Sequence, residues 1–281
     1  MHFFDPEAAA SFRVASGPAV VQIHNLTLRD RAVGAPWRSE GRVALELLRS
    51  ERLACRRARW LLANSREVAD PLRAIARHAQ VEVAPLALDP AHYSPPASLE
   101  HPIAGLIGTA RWAPTKNAVA RLLRSVWPRV LERRPGSRLL LAGVGMERSA
   151  FADLPEPSGV EWRGSVDSAT AFLRELGLLL YPLTAGSGTK VKVLEAMALG
   201  LPVVTTPDGA EGIADLAGLV VERDDELLAR AVVSLLDDPV ARRAAGARAH
   251  ASFTRQHTPK SAAAPVVRLY ERMLAGRRMP T

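Results

Sequence analysis

The residues whose types and spacing could do chemistry are concentrated between Gly186 and Val204, in the segment GSGTKVKVLEAMALGLPVV. Gly186 and Gly188 let the backbone approach a ligand closely. The loop they form opens a helix, whose first amides and positive dipole end suit an anion. Lys190 and Lys192 add positive charge at that same end, where the dipole by itself disfavours lysine, and this points to a bound phosphate. Glu195 follows Lys192 by three positions on the same helix face, where a carboxylate could accept two hydrogen bonds from a vicinal diol such as ribose. Taken one at a time, these residues fit an ordinary glycine turn beside an exposed lysine-glutamate pair worth about 0.2 to 0.5 kcal/mol. Taken together, after a Tyr181-Pro182 strand end and before the apolar run LPVVTT, they describe a phosphate and ribose pocket at the C-terminal edge of a parallel sheet. The sequence carries neither a P-loop signature nor a glycine fingerprint followed by an acidic residue about 20 positions on, so a standard mononucleotide or dinucleotide site is not supported.

Such a pocket needs a sheet to hold it, and the chain alternates short β-rich runs with helical patterns, the signature of parallel βα units. The runs predict strands over Ala19–His24, Trp60–Asn64, Val81–Pro85, Ile103–Gly108, Arg138–Gly143, Val160–Arg163, Leu178–Tyr181, Pro202–Thr205 and Leu219–Val221. Helices are expected over Glu40–Arg59, Lys116–Arg134, Ser168–Leu176, Val191–Leu199 and Glu226–Leu236, with a last helix over Lys260–Leu274 interrupted by Pro265. The proline-rich stretch Leu88–Pro102 lacks periodicity and reads as a linker. It divides the chain into a front part over residues 1–95, a complete doubly wound domain over 96–258, and a C-terminal helix over 259–281 packing back toward the front part.

The motifs resemble a known family. LEAMALGLPVVTTPDGAEGI with the glycine loop before it, IGTARWAPTKNAVARLL with WPRVLERRPGSRLLLAGVG, and GVEWRGSVDSATAFLRELGLLLYPL are similar to the donor domain of glycosyltransferase family 4. The front part resembles the same family through PAVVQIHN, HFFDP, LLANSREVADPLRA and VEVAPLALDPAHYSP. The resemblance implies an α/β chain of GT-B fold, two doubly wound parallel-sheet Rossmann-like domains, with the N-terminal one incomplete. It implies transfer of a sugar from a nucleoside diphosphate sugar to an acceptor hydroxyl with retention at the anomeric carbon, and no cofactor or metal. His24, Glu195 and Lys192 become the catalytic candidates. Gly108, Arg111, Lys116, Gly186, Ser187, Gly188, Thr189, Lys190 and Glu211 become the donor-binding candidates. Ser187 stands where the family carries a glutamate that binds the transferred sugar. His24 fits a structural strand-end histidine as well, and Arg111 an exposed loop arginine. The short front leaves a second expectation: a donor-binding form that transfers poorly, self-associates or needs a partner chain.

Composition bounds these readings. With 281 residues, 48% hydrophobic and 23% charged, the chain is of ordinary globular make-up and long enough for two domains. One cysteine, Cys55, rules out an intrachain disulfide and a cysteine metal cluster. The acidic pairs Asp224-Asp225 and Asp237-Asp238 read as helix-flanking caps. The net charge of +8 comes almost wholly from arginine and is spread along the chain without interleaved aromatics, which disfavours nucleic acid. It leaves solvated helix faces, nucleotide phosphates or an anionic membrane surface. The apolar runs are too short to span a membrane and the start lacks a signal peptide's pattern. The expectation is a cytoplasmic protein, with peripheral contact at the inner membrane face, acting on a glycan or lipid-linked acceptor.

Overall fold

The computed structural model describes residues 2–3, 19–24, 26, 39–95 and 101–275. They build two parallel sheets. The first contains β1 (His2–Phe3), β2 (Val20–Ile23), β3 (Trp60–Ala63) and β4 (Gln80–Val83), in that spatial order. Ile23 pairs with Ala63 and Ala63 with Val83, so His24 and Asn64 leave the sheet side by side at its C-terminal edge. Because strand side chains alternate, Val21, Ile23, Leu61 and Ala63 face one side. There they meet helices α1 (Ser39–Arg57) and α2 (Arg66–Ile75) through Ala54, Cys55, Val68 and Leu72. Ser65 starts α2 as an N-cap, its hydroxyl accepting from the Val68 amide at 3.1 Å.

The second sheet contains β5 (Ile103–Ile107), β6 (Arg138–Ala142), β7 (Val160–Gly164), β8 (Leu178–Tyr181), β9 (Val203–Thr205) and β10 (Leu219–Val221). Its order is β10-β9-β8-β5-β6-β7 and every pairing is parallel. The chain winds outward from β5 to β7, then returns to place β8 on the other side of β5. That reversal opens a crevice at the C-terminal ends of β5 and β8, where open α/β sheets bind ligands. The connecting helices are α3 (Ala113–Arg121), α4 (Trp127–Arg133), α5 (Ala169–Arg174), α6 (Val191–Ala198), α7 (Asp225–Asp237) and α8 (Pro239–Gln256). Their apolar faces and the fully buried β8 form one large core. All nine strands expected from the sequence are present, each within two residues at either end.

The helices depart from expectation in informative ways. The helix expected over Lys116–Arg134 begins at Ala113 and passes through a π-turn at Leu122–Val126 before α4. Pro128 follows directly, and a proline there can neither donate to the preceding turn nor tolerate its carbonyl, so the widened turn relieves the conflict. α8 escaped the periodicity because its buried face is built of Ala245, Gly246, Ala249 and Ser252, with little apolar contrast. Asp224 and Asp238 cap α7 and α8, as their positions suggested. The last helix, α9 (Pro259–Ala275), corrects the expected interruption: it runs unbroken through Pro265. Pro265 is buried on the same face as Ala262 and Leu269, and that packing offsets the lost backbone hydrogen bond. Through Leu269, α9 covers the other face of the first sheet, over Val20, Trp60, Leu62 and Ala84. Among the described residues, no helix is long and apolar enough to cross a membrane.

Candidate functional site

A cleft of about 510 Å³ lies where the C-terminal edges of the two sheets face each other. The first sheet contributes His24, Asn64 and, from the chain after β4, Leu86. The second contributes Gly108, Thr109, Trp112 and Thr115 after β5, Tyr181 at the end of β8, and Ser187, Thr189, Lys190, Val191 and Lys192 at the start of α6. Half of the residues singled out in the sequence, His24, Gly108, Ser187, Thr189, Lys190 and Lys192, therefore meet in one cavity at the switch point, while Gly186, Gly188, Glu195, Arg111, Lys116 and Glu211 do not line it. Lys190 opens α6 without a side-chain cap. The first amides of the helix thus lack a helical acceptor and its positive end lies in the cleft wall.

The glycine loop is held in place from both sides. Gly186 has φ +110° and lies against the Trp112 ring, where a Cβ would stand 2.9 Å from Cζ2. Gly188 has φ +77°, and a Cβ there would stand 2.2 Å from the His24 carbonyl oxygen. A side chain is excluded at both by backbone conformation and by space. The Gly188 amide donates to Glu211 Oε1 at 2.7 Å, and Lys190 Nζ donates to the carbonyls of Gly186, at 3.2 Å, and of Gly188. Ser187 Oγ accepts from the Leu26 amide at 2.7 Å and donates to the Leu26 carbonyl at 3.3 Å, while Thr189 Oγ1 donates to the Asn64 carbonyl at 3.5 Å. The loop is thus stitched directly to the first sheet's edge.

These bonds sort the sequence-derived candidates. Lys190, Ser187 and Glu211 are each at least nine-tenths buried, and each hydrogen-bonds to backbone groups that shape the loop. Glu211 does not line the cleft. Lys192 and Glu195 form an ion pair at 2.8 Å, and the second carboxylate oxygen accepts from the Tyr93 hydroxyl at 3.2 Å. A carboxylate oxygen carries two lone pairs, so both oxygens of Glu195 keep acceptor capacity beyond these bonds. Burial first, and then the neighbouring Glu195 charge, raise the Tyr93 phenol above its ordinary pKa. Arg111, on the same β5–α3 loop as Gly108, and Lys116, in the first turn of α3, line a smaller cavity of about 180 Å³ with Gly145 and Phe151. Among the described residues, no three His, Cys, Asp or Glu side chains are grouped so as to hold a metal ion.

Sequence reasoning missed Tyr93, Asn64, Trp112 and Thr115. Asn64 carried a usable signal, being a polar residue just past a strand whose C-terminal edge a parallel sheet reserves for ligands, whereas Thr115 lies further on, in the first turn of α3. Tyr93 carried none, since it lies in the linker and reaches Glu195 only in three dimensions. Thr115 Oγ1 and the Tyr181 hydroxyl stand 3.3 Å apart and close the cleft floor.

Comparisons with known proteins agree with this architecture. Residues 101–238 match the family model described as Glycosyl transferases group 1. Over 138 aligned positions the chain is 33% identical to a GDP-mannose-dependent monoacylated alpha-(1-6)-phosphatidylinositol monomannoside mannosyltransferase from Corynebacterium glutamicum, covering 44% of this chain and 36% of that protein. Among solved structures, S. aureus TarM, in a complex with fondaparinux, alpha-GlcNAc-glycerol and UDP, superposes with a TM-score of 0.71 at 12% identity, over 92% of this chain and 52% of its own. Sucrose-phosphate synthase from Thermosynechococcus elongatus gives 0.69 at 18% identity, over 92% and 68%. Anabaena HepE with UDP-glucose gives 0.61 at 17%, over 92% and 72%. The chain spans about a third of the curated mannosyltransferase and about half of TarM. At these identities the structural likeness speaks for fold, and the fold is that of the GT-B glycosyltransferases. Residues 101–238, which carry the second sheet through β10 and most of α7, are thus similar to the glycosyl transferases group 1 on a chain of that fold.

Proposed function

We propose that this protein transfers a sugar from a nucleoside diphosphate sugar to a hydroxyl of a glycan or lipid-linked acceptor, with retention at the anomeric carbon. The observation that carries the reading is the cleft itself. Both sheets wall it, with Ser187 and Thr189 of the glycine loop, the start of α6 and Lys192 on one side, and Lys192 is ion-paired to Glu195. In this reading Glu195 accepts hydrogen bonds from the nucleotide ribose. The α6 amides and Lys192 hold the diphosphate, with Arg111 and Lys116 at its flank. As the bond from the anomeric carbon to phosphate breaks, the electron pair stays on the diphosphate. Fixed positive groups stabilise that charge without reorganising. Lys190 and Glu211 support the loop from beneath. His24 stands across the cleft, beside the sugar. The mannosyltransferase relative is named for a GDP-mannose donor and a lipid acceptor, and HepE was captured with UDP-glucose, which makes those two donors the first to try.

The test is calorimetric titration with GDP-mannose and UDP-glucose, followed by product analysis with the anomeric configuration read by NMR. Binding of a nucleotide sugar, followed by a product that keeps its configuration, is expected. An inverted product removes the retaining reading, and absence of nucleotide-sugar binding removes the transferase reading altogether. Donor binding without transfer favours the second reading, a form completed by a partner chain. The diphosphate charge is assigned here to protein groups, so activity in excess EDTA should equal activity without it. Loss restored by a divalent cation would show that the leaving group needs a metal.

A further inference from the structure

Asn64 lies at the C-terminal edge of β3, beside His24, and lines the cleft. Its side chain is nine-tenths buried or more, yet no described residue supplies its Oδ1 with a hydrogen-bond donor. A buried carboxamide oxygen left unsatisfied is costly, so an orphan of this kind calls for an explanation. The backbone at this position is held from both sides. The Asn64 amide donates to the Ile23 carbonyl at 3.3 Å, and its carbonyl accepts from Thr189. Its Nδ2 sits against Gly188, 3.3 Å from where a Cβ would stand. The carboxamide therefore lies between the edge of the first sheet and the glycine loop, in the wall of the cleft.

We infer that Asn64 is a donor-sugar contact, its Oδ1 accepting a hydrogen bond from a hydroxyl of the sugar carried on the nucleoside diphosphate. The inference rests on the transferase reading above. With ribose at Glu195 and diphosphate at the start of α6, the sugar extends toward the first sheet's edge, where His24 and Asn64 stand. Ser187, next to Asn64 across the loop, has its hydroxyl engaged in both directions by Leu26. Asn64 brings to the same place an acceptor that folding has left unused. A nucleoside diphosphate without sugar presents no hydroxyl there, so Asn64 should discriminate between the two ligands.

The experiment compares the whole chain with Asn64→Leu, Asn64→Ala and Asn64→Asp, by calorimetry with GDP, GDP-mannose, UDP and UDP-glucose. Leucine keeps the approximate size and removes the acceptor, alanine removes it without adding bulk, and aspartate keeps it. Any variant that binds the diphosphate is folded at the site, so each carries its own control. For whichever pair the wild type binds, diphosphate affinity should stay within about twofold in Asn64→Leu and Asn64→Ala. Affinity for the nucleotide sugar should fall about tenfold or more, as expected for a lost buried hydrogen bond. Asn64→Asp should retain most of it. Equal losses for both ligands, or an unchanged nucleotide sugar, overturn the assignment. So does an effect confined to the KM of the acceptor, which would place the contact on the other substrate. If the wild type binds diphosphate and nucleotide sugar while the variants match it, only the Asn64 role fails. If the wild type binds neither, the transferase reading fails and takes this inference with it.

Discussion

Glu195 is the residue on which the nucleotide assignment turns. It is buried, ion-paired to Lys192 and bonded to Tyr93, so its carboxylate is fixed before any ligand arrives. Glu195→Ala should weaken nucleoside diphosphate binding by about 1.5 to 3 kcal/mol, the scale of hydrogen bonds to a charged group. Unchanged affinity in a folded variant would move the ribose elsewhere. Gly188 tests the loop instead of the ligand. Alanine there must hold a left-handed backbone, at about 1 to 2 kcal/mol, and its Cβ would collide with the His24 carbonyl. Gly188→Ala is therefore expected to lower the melting temperature and to part the loop from the first sheet, with loss of nucleotide-sugar affinity. A variant with wild-type melting and binding would show that this close contact is unnecessary.

At the scale of elements, the joint between α8 and α9 is a titratable one. His257 there is almost fully buried, its Nδ1–H donates to the Leu86 carbonyl at 2.9 Å, and its own carbonyl accepts from the Leu88 amide at 2.9 Å. Two helices and the chain leading out of β4 are tied together at one imidazole. Burial lowers its pKa below the ordinary histidine value, and the bond to Leu86 offsets only part of that. The folded state thus binds the proton less readily than the unfolded chain, so stability rises with pH in this range. The contribution is complete above the unfolded value, near 6.5, and is lost as pH falls toward the lowered folded value. Melting temperature should drop between about pH 7.5 and 5.5, and His257→Asn should flatten that slope. An equal slope in wild type and variant would assign the acid sensitivity to other groups.

For the molecule as a whole, α9 is the feature that joins the end of the chain to its beginning. Leu269 is fully buried among Val20, Trp60, Leu62 and Ala84, on the face of the first sheet that α1 and α2 leave open. Arg272 and Arg268 pair with Glu82 at the edge of the same packing, a partly exposed and therefore weak addition. Leu269→Ala should cost about 2 to 5 kcal/mol, as cavities in buried aliphatic cores do. The loss should fall on the first sheet: hydrogen exchange should quicken at Val20–Ile23 and Trp60–Ala63 while β5, β6 and β8 stay protected. Uniform loss of protection would mean that the two sheets unfold as one unit.

The sequence marked every described strand, the two-residue β1 only through the resemblance of HFFDP to a strand end, and the order of βα units. Parallel strands buried on both faces are written as continuous apolar runs, and their crossovers as amphipathic helices, so each is specified locally. It also marked the glycine loop, Lys192 and Glu195, because a loop entering a helix N-terminus is a contiguous piece of chain with its own chemistry. It could not show that Lys190 and Glu211 support that loop, or that Ser187 is bonded to Leu26. Glu211 reaches the loop from 23 residues on, and Ser187 meets Leu26, 161 residues away, only when the sheets face each other. Pro265 reads as a helix breaker because local propensity counts the lost hydrogen bond and cannot count the packing against the first sheet. Tyr93 was silent for the same reason, and Asn64, though its place after a strand was a signal, gained its meaning only from what the fold sets opposite it. Local patterning marked the strands and most of the helices, and the meeting of two sheet edges, a property of no single segment, decided which side chains share the cleft.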